Sequence, residues 1–416
     1  MIFISGRFRS GTTLLWDLLR QIPDVCAYYE PFHDNLIDYI KANQSPDPTH
    51  KGVRDYYAEY QPILPKLIEV HKRAFGVSRL CLSSKDNYPE LSKYIELLAD
   101  SCSDRIPLFK FVRADFRLPW LRHVFPDAKI IYIKRNPRNN WLSIVSKTPK
   151  EQREEDWLNT GFDLVIWSAN LAPHFPALGV DTGHSYARHY LLWRLSTAVG
   201  ERYADLVIDY DQDLLINPTA TIRQLLDVCG LSQGDEKLLA ERVLKERTQN
   251  WETMSDKVPF LAIEQACEEK LSSSGLLEHI ASGGLDTVGW PVYAPTRDSM
   301  TIIEKLCIEV SEHRRLVPQF GALSREMESE RTARATEQAE AVKQITALTE
   351  WASSADGYGK SLLEELASLR VAYEAERTAR ATEQAEAVKQ ITALDLKLTA
   401  YTSHWIFNIL KHPQSL

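Results

Sequence analysis

The run Gly6-Arg7-Phe8-Arg9-Ser10-Gly11-Thr12-Thr13 has the residue types and spacing of a loop that cradles phosphate groups. Glycines let backbone N–H groups turn toward one anion, and a helix beginning at the second glycine adds positive potential. The flanks supply that context. Ile2-Phe3-Ile4 reads as the end of a buried strand, and Thr12 to Gln21 carries Leu14, Leu15, Leu18 and Leu19 at helical spacing before Ile22-Pro23 closes it. A plain strand-to-helix turn would use similar residues. The two arginines and two threonines in this setting favour the anion site.

The loop departs from the phosphate-binding loop of nucleoside-triphosphate enzymes at one telling place. Their lysine after the second glycine is Thr12 here, and the cation sits earlier, at Arg9. Magnesium-dependent phosphoryl transfer uses that lysine together with an acid on the metal. The apolar strand Lys129 to Lys134 ends in Arg135-Asn136, with no acid. The loop is therefore expected to hold its donor by arginine and backbone, without a metal.

These residues resemble the sulfotransferase superfamily, whose donor is 3′-phosphoadenosine 5′-phosphosulfate (PAPS). Arg9-Ser10-Gly11-Thr12-Thr13, then Ile22-Pro23-Asp24-Val25, then Tyr29-Glu30-Pro31, is similar to the pattern of carbohydrate O-sulfotransferases. The resemblance implies that Arg9, Ser10, Gly11, Thr12 and Thr13 bind the 5′-phosphosulfate. It also implies that Arg135, in Arg135-Asn136-Pro137-Arg138, and Ser143 bind the 3′-phosphate. A guanidinium forks onto phosphate oxygens and a hydroxyl donates one more bond. Tyr210-Asp211-Gln212-Asp213-Leu214 resembles a further family segment, with Gln212 inserted or substituted. The likeness runs over residues 1 to 255.

Sulfonate transfer needs charge stabilisation on the leaving oxygens and a base for the acceptor hydroxyl. Guanidinium groups keep their proton, so the role implied for Arg9 is electrostatic. Glu30 follows the strand-like run DVCAYY and precedes a proline, a position that a plain strand-end glutamate would also occupy; the resemblance to the family implies that it is the leading candidate base. His33 is the second, because an imidazole titrates near about 6.5. Lys110 and Arg113 are candidate sulfonate or acceptor contacts. The expected function is sulfonate transfer from PAPS to a hydroxyl, of a carbohydrate or glycan by resemblance. A P-loop kinase of a small molecule or nucleotide, and an inactive scaffold, stay open as alternatives.

The elements that must position these groups alternate strand and helix. LFKFV from Leu108, KIIYIK from Lys129 and Leu206-Val207-Ile208 read as strands; Asn136-Pro137 and Asn217-Pro218 each start a helix as N-cap and first residue, and Gly230 stops the second. This predicts an α/β fold, a P-loop-like parallel sheet flanked by helices. Residues 34 to 105 and 150 to 203 read as helical and looped insertions rich in aromatics, suited to shaping an acceptor site or simply to packing.

The remainder is bounded by composition. The chain has 416 residues, 44% hydrophobic and 25% charged, with a formal net charge of −8, which disfavours nucleic acid and anionic membranes as partners. Six scattered cysteines and eleven histidines form neither a disulfide framework nor a zinc pattern. There is no signal-peptide pattern and no run of about 18 apolar residues, so a cytoplasmic protein without a membrane span is expected. ERTARATEQAEAVKQITAL occurs at Glu330 and again, unchanged, at Glu376. Ala341, Ile345, Leu348 and Ala352 in one copy, and Ala387, Ile391, Leu394, Leu398, Tyr401 and Trp405 in the other, alternate four-three spacing as a coiled-coil seam does. A C-terminal α-helical coiled-coil extension, open to self-association or to a partner protein, is predicted. The expected division is 1–300 catalytic, 310–400 helical repeat and 401–416 tail, whose small apolar cluster could rest peripherally on a membrane.

Overall fold

The computed structural model describes residues 1–43, 53–145, 164–178, 184–243, 251 and 258–286, with isolated positions between 329 and 378. The chain separates into two compact units, Met1–Glu309 with Asn408–Leu416, and Val310–Phe407. In the second unit the described positions are helical and exposed. The seam residues of the predicted coiled coil lie outside the described residues.

The first unit is built on five parallel strands: β1 (Ile2–Ser5), β2 (Val25–Tyr29), β3 (Ile106–Phe111), β4 (Lys129–Lys134) and β5 (Leu206–Asp209), in the order β2-β3-β1-β4-β5. Helices intervene between successive strands, as parallel pairing requires. The central strands are apolar along their length because parallel sheets are covered on both faces. Phe3, Ile4, Phe109, Phe111, Ile130, Ile131 and Ile133 are all fully buried. Phe3 packs its ring 5.6 Å from Phe109 and 5.7 Å from Phe125.

The strand order places the loop after β1 at a reversal. From β1 the chain travels toward β2, whereas both neighbours of β1, β3 and β4, send it the other way. Connections leaving in opposite directions open a crevice beyond the strands' C-terminal ends, which is where ligands bind in such sheets. Ser5 pairs with Phe111 and Tyr132, Tyr29 with Lys110, and Lys134 with Asp209. Residues just after these positions therefore share one edge.

The insertion after β2 folds into short helices, Leu36–Ala42, Leu64–Val70, Ala74–Val77 and Pro89–Asp100, with a 3₁₀ turn at Ala58–Ile63. The helix Ser185–Tyr203 packs against β4 and against the helices Leu118–Val124 and Pro137–Val145. No described helix is long and apolar enough to cross a membrane.

Candidate active site

The loop after β1 turns tightly on itself. Ser10 donates both its N–H (3.1 Å) and its hydroxyl (2.5 Å) to the Arg7 carbonyl. Gly11 has φ +103°, and a Cβ there would lie 2.4 Å from the Tyr210 ring. Only glycine meets both conditions. Arg9 also adopts positive φ, at 68°, although it carries a long side chain. Strain of this kind is kept where the surroundings over-determine it, commonly at functional sites. The helix Thr12–Leu19 then starts with no side chain capping its first turn, leaving its leading N–H groups facing the loop.

The two motifs read from the sequence converge on each other. Arg9 Nε donates to Ser143 Oγ at 3.2 Å, and Arg135 Nη1 donates to the Arg9 carbonyl at 3.3 Å. Asn136 caps the helix Pro137–Val145 with its side-chain oxygen, which accepts from the N–H of Arg138 at 3.0 Å. Arg135 lies 4.8 Å from the Tyr210 ring, and its backbone carbonyl accepts from Trp193 Nε1 at 3.0 Å. Its Nε is buried and makes no hydrogen bond among the described residues, with Asp211 Oδ1 3.7 Å away. The other oxygen of Asp211 accepts from the Asn136 N–H at 2.8 Å.

Asp211 reaches that place through an irregularity. Tyr210–Leu214 forms a π-helical turn, closed by Leu215 N–H on the Tyr210 carbonyl at 3.1 Å, with Asp209 accepting from the N–H groups of Asp211 and Gln212. A π turn accommodates one more residue than an α turn. Gln212, the position where the segment departs from the family pattern, lies within this turn.

Beside Arg135 lies a cavity of about 400 Å³, lined by Pro137, Trp193, Asp209, Asp211 and Trp251 among others. Trp251 is held by Arg138, whose guanidinium lies 4.1 Å from its ring. Arg138 in turn forks onto Glu264 at 2.8 and 2.7 Å, and the Tyr186 hydroxyl donates to the same carboxylate at 2.5 Å. Trp251 and Glu264 were not singled out in the sequence. No local motif marks them, and their contacts with Arg138 exist only once the chain has folded.

On the other side of the loop stands Glu30, just beyond β2, with φ 47°. Its carboxylate is buried, and one oxygen forms an ion pair with Lys110 of β3 while the other accepts from the Val112 N–H at 3.1 Å. The Lys110 ammonium also lies 4.4 Å from the Tyr29 ring. Burial lowers the ammonium from its ordinary range, and the Glu30 carboxylate pulls the other way. Lys110 is thus engaged with Glu30, and Arg113 pairs with Asp34 at 3.5 Å.

His33 follows on the same connection. Its Nδ1 accepts from the Asn35 N–H at 3.0 Å. Burial, then the Arg113 charge, pushes the imidazole down to about 3. A neutral ring with so low an affinity for protons makes a weak base. Of the two loop arginines, Arg7 turns inward: it pairs with Asp115 at 3.0 Å and lies 3.9 Å from the Trp167 ring. Ser10 spends its hydroxyl on the Arg7 carbonyl, and Thr13 Oγ1 lies 3.4 Å from the Tyr29 hydroxyl. Thr12 is buried. Among the described residues, no group of three or more His, Cys, Asp or Glu side chains is arranged to hold a metal ion.

The edge therefore reads, in strand order, Glu30, Lys110, the loop with Arg9, Arg135 and Asp211. A family model described as Sulfotransferase family matches residues 2–235, which take in the loop, Glu30, Arg135, Ser143 and Asp211. No curated protein matches the chain significantly. Among solved structures, the chain is similar to the sulfotransferase domain of the Synechococcus PCC 7002 olefin synthase, with 16% identity, 65% of this chain and 93% of that one covered, and a TM-score of 0.32. It is also similar to the sulfotransferase domain of the curacin biosynthetic pathway, with 14% identity, 70% and 98% covered, and a TM-score of 0.34. With a family model spanning more than half of it, from the first strand to beyond the fifth, the chain belongs to the sulfotransferase family.

Proposed function

We propose that the protein transfers the sulfonate of PAPS to a hydroxyl group, and that the acceptor is a carbohydrate or glycan. The observation that carries the donor half is the junction of the two motifs: Arg9 meets Ser143 at 3.2 Å while its carbonyl holds Arg135. One continuous cradle of two guanidiniums, a hydroxyl and the uncapped helix start fits a ligand with two anionic groups. The buried Arg135 Nε without a hydrogen bond fits the same ligand. When bound, the donor supplies the sulfonate, whose bond to the 5′-phosphate oxygen breaks as the acceptor oxygen takes the sulfur. Arg9 and the first N–H groups of the helix Thr12–Leu19 stabilise charge on the departing phosphate. The cavity beside Arg135 takes the nucleoside, with Trp193 and Trp251 as aromatic walls.

Glu30 is the base in this reading. Both of its oxygens are held, yet each carboxylate oxygen keeps a further lone pair, so it accepts the acceptor hydroxyl's proton without leaving Lys110 or Val112. His33, pushed down to about 3, does not compete for that proton near neutral pH. The carbohydrate acceptor rests on the likeness of Arg9-Ser10-Gly11-Thr12-Thr13 and Tyr29-Glu30-Pro31 to carbohydrate O-sulfotransferases.

Calorimetric titration with 3′-phosphoadenosine 5′-phosphate, and separately with ATP plus magnesium, tests the donor. The bisphosphate should bind more tightly, and Arg135→Ala should cost it about 1.5–3 kcal/mol, the worth of a charged hydrogen-bond partner. Adenosine 5′-phosphate, which lacks the 3′-phosphate, should lose far less from that substitution. Equal losses, or preferred binding of ATP with magnesium, would refute the assignment.

A further inference from the structure

The two oxygens of the Asp211 carboxylate are used unequally. Its Oδ2 accepts from the Asn136 N–H at 2.8 Å. Its Oδ1 is buried, makes no hydrogen bond among the described residues, and lies 3.7 Å from the buried Arg135 Nε, which makes none either. At that separation an N–H and a carboxylate oxygen are not hydrogen-bonded. Two charged groups therefore stand side by side out of water, each with a polar atom unsatisfied. Such atoms are rare in a native fold, because each one costs the desolvation of its group.

The backbone keeps Asp211 where it stands. Its N–H donates to the Asp209 carboxylate at 3.0 Å, and the Asp209 N–H donates to Asp213 at 2.7 Å, so the π turn is tied at both ends. Tyr210, one residue earlier, sets its ring 4.8 Å from the Arg135 guanidinium and packs against Gly11 of the donor loop. Arg135 and Asp211 both line the cavity of about 400 Å³ proposed to take the nucleoside. A ligand that satisfies this wall must offer an acceptor to Arg135 and, next to it, a donor to Asp211. A phosphate oxygen meets the first demand, and like charge bars it from the second. In a nucleoside 3′-phosphate the neighbouring ribose carbon carries the 2′-hydroxyl, which is such a donor. The amino group of adenine lies at the far edge of the base, across the ribose, and cannot share so small a site with the 3′-phosphate.

We infer that Asp211 is a specificity-determining residue, whose Oδ1 accepts from the 2′-hydroxyl of the donor's ribose while Arg135 takes the 3′-phosphate; the inference rests on the PAPS reading above. The pair reads a phosphate and a hydroxyl on adjacent carbons, and so selects a ribonucleotide over its deoxy counterpart.

Calorimetric titration with 3′-phosphoadenosine 5′-phosphate and with 2′-deoxyadenosine 3′,5′-bisphosphate tests this, since the two differ only in that hydroxyl. The wild-type protein should bind the ribonucleotide about tenfold more tightly, the loss of one hydrogen bond to a charged acceptor. Asp211→Ala should bring the ratio of the two affinities close to one. A carboxylate that merely held Arg135 in place would weaken both ligands alike and leave the ratio unchanged. Asp211→Asn keeps the size and an oxygen for the Asn136 N–H, and serves if the alanine variant does not fold. It should lower the ratio severalfold, because a neutral hydrogen bond is about half as strong as a charged one. A wild-type ratio near one, or a ratio that survives substitution in whichever variant folds, would overturn the role of Asp211 while the donor reading stands. Failure of the wild-type protein to bind either bisphosphate would instead remove the PAPS reading, and this role with it.

Discussion

Glu30 and Lys110 form a unit whose members cannot be judged singly. A buried ion pair gains little over a neutral pair, but removing one partner strands a charge at a cost of about 3–5 kcal/mol. Lys110→Met should therefore lower stability strongly in denaturant titration, and adding Glu30→Gln should restore much of the loss. Independent, additive losses would show that the two do not act together. Glu30→Gln alone should leave bisphosphate binding intact and reduce turnover by about 10²–10⁴, the usual contribution of a general base. Full turnover in that variant would remove Glu30 from the proposed role. At this scale the sequence was informative where chemistry is local. Arg9 and Gly11 were legible from the loop's residue types and context, and Arg135 and Ser143 from the family resemblance. In the fold Gly11 directly precedes a helix, Arg135 directly follows β4, and Ser143 lies in the second turn of the helix that starts at Pro137. The inward turn of Arg7 was not legible, since Asp115 and Trp167, which draw it inside, are remote in sequence. Nor could residue types alone disclose the burial beside Arg113 that lowers the His33 imidazole.

At the scale of elements, the helix Pro137–Val145 carries Ser143 and begins just after Arg135, so its placement fixes half of the proposed donor cradle. The Arg138–Glu264 fork and the Tyr186 hydroxyl tie it to the helices Phe260–Ser274 and Ser185–Tyr203. Residue 264 lies beyond the family match, which ends at 235. This chain therefore braces the helix that carries Ser143 with a segment outside the matched region. Glu264→Gln keeps the size but removes the charge from a partly buried bidentate contact. It should cost about 1.5–3 kcal/mol of stability and also weaken the bisphosphate, with which it makes no contact in the proposed arrangement. A lowered melting temperature with unchanged bisphosphate affinity would show the brace to be structural only. Strands and helices near the site were readable from period and caps: β4 runs from Lys129 to Lys134 and its helix starts at Pro137, both as expected. The brace was unreadable because a glutamate on an amphipathic helix looks the same whether it meets water or an arginine 126 positions away.

For the whole molecule, the parallel sheet followed from alternating strand and helix patterns, whereas its order did not. Five apolar runs of similar composition pair by long-range fit, and nothing within any one run declares its neighbours. The finished fold also withdraws several histidines from water, His189 fully and His33, His71 and His174 in part, with consequences for acid stability. Burial is the first cause in each case, pushing His33 and His189 down to about 3 and His71 and His174 to about 4. The unfolded chain takes up these protons near about 6.5, while the native state resists them until pH 3–4. Between those limits the unfolded state binds more protons, so stability falls as pH falls. The contribution is complete above about pH 6.5 and is lost at about 1.4 kcal/mol per pH unit for each histidine. Denaturant titrations from pH 7.5 to 4.5 should thus show a steepening loss that approaches four protons in slope, before ordinary carboxylates contribute. His189→Gln should reduce that slope by one proton whatever it does to absolute stability, because the readout is a derivative. No change in the variant would show that His189 takes up its proton as readily in the native state as in the unfolded chain, and a slope below one proton in the wild-type protein would show that of these rings in general. His33 would then regain its claim as a base alongside Glu30, which makes the stability measurement a check on the active site as well.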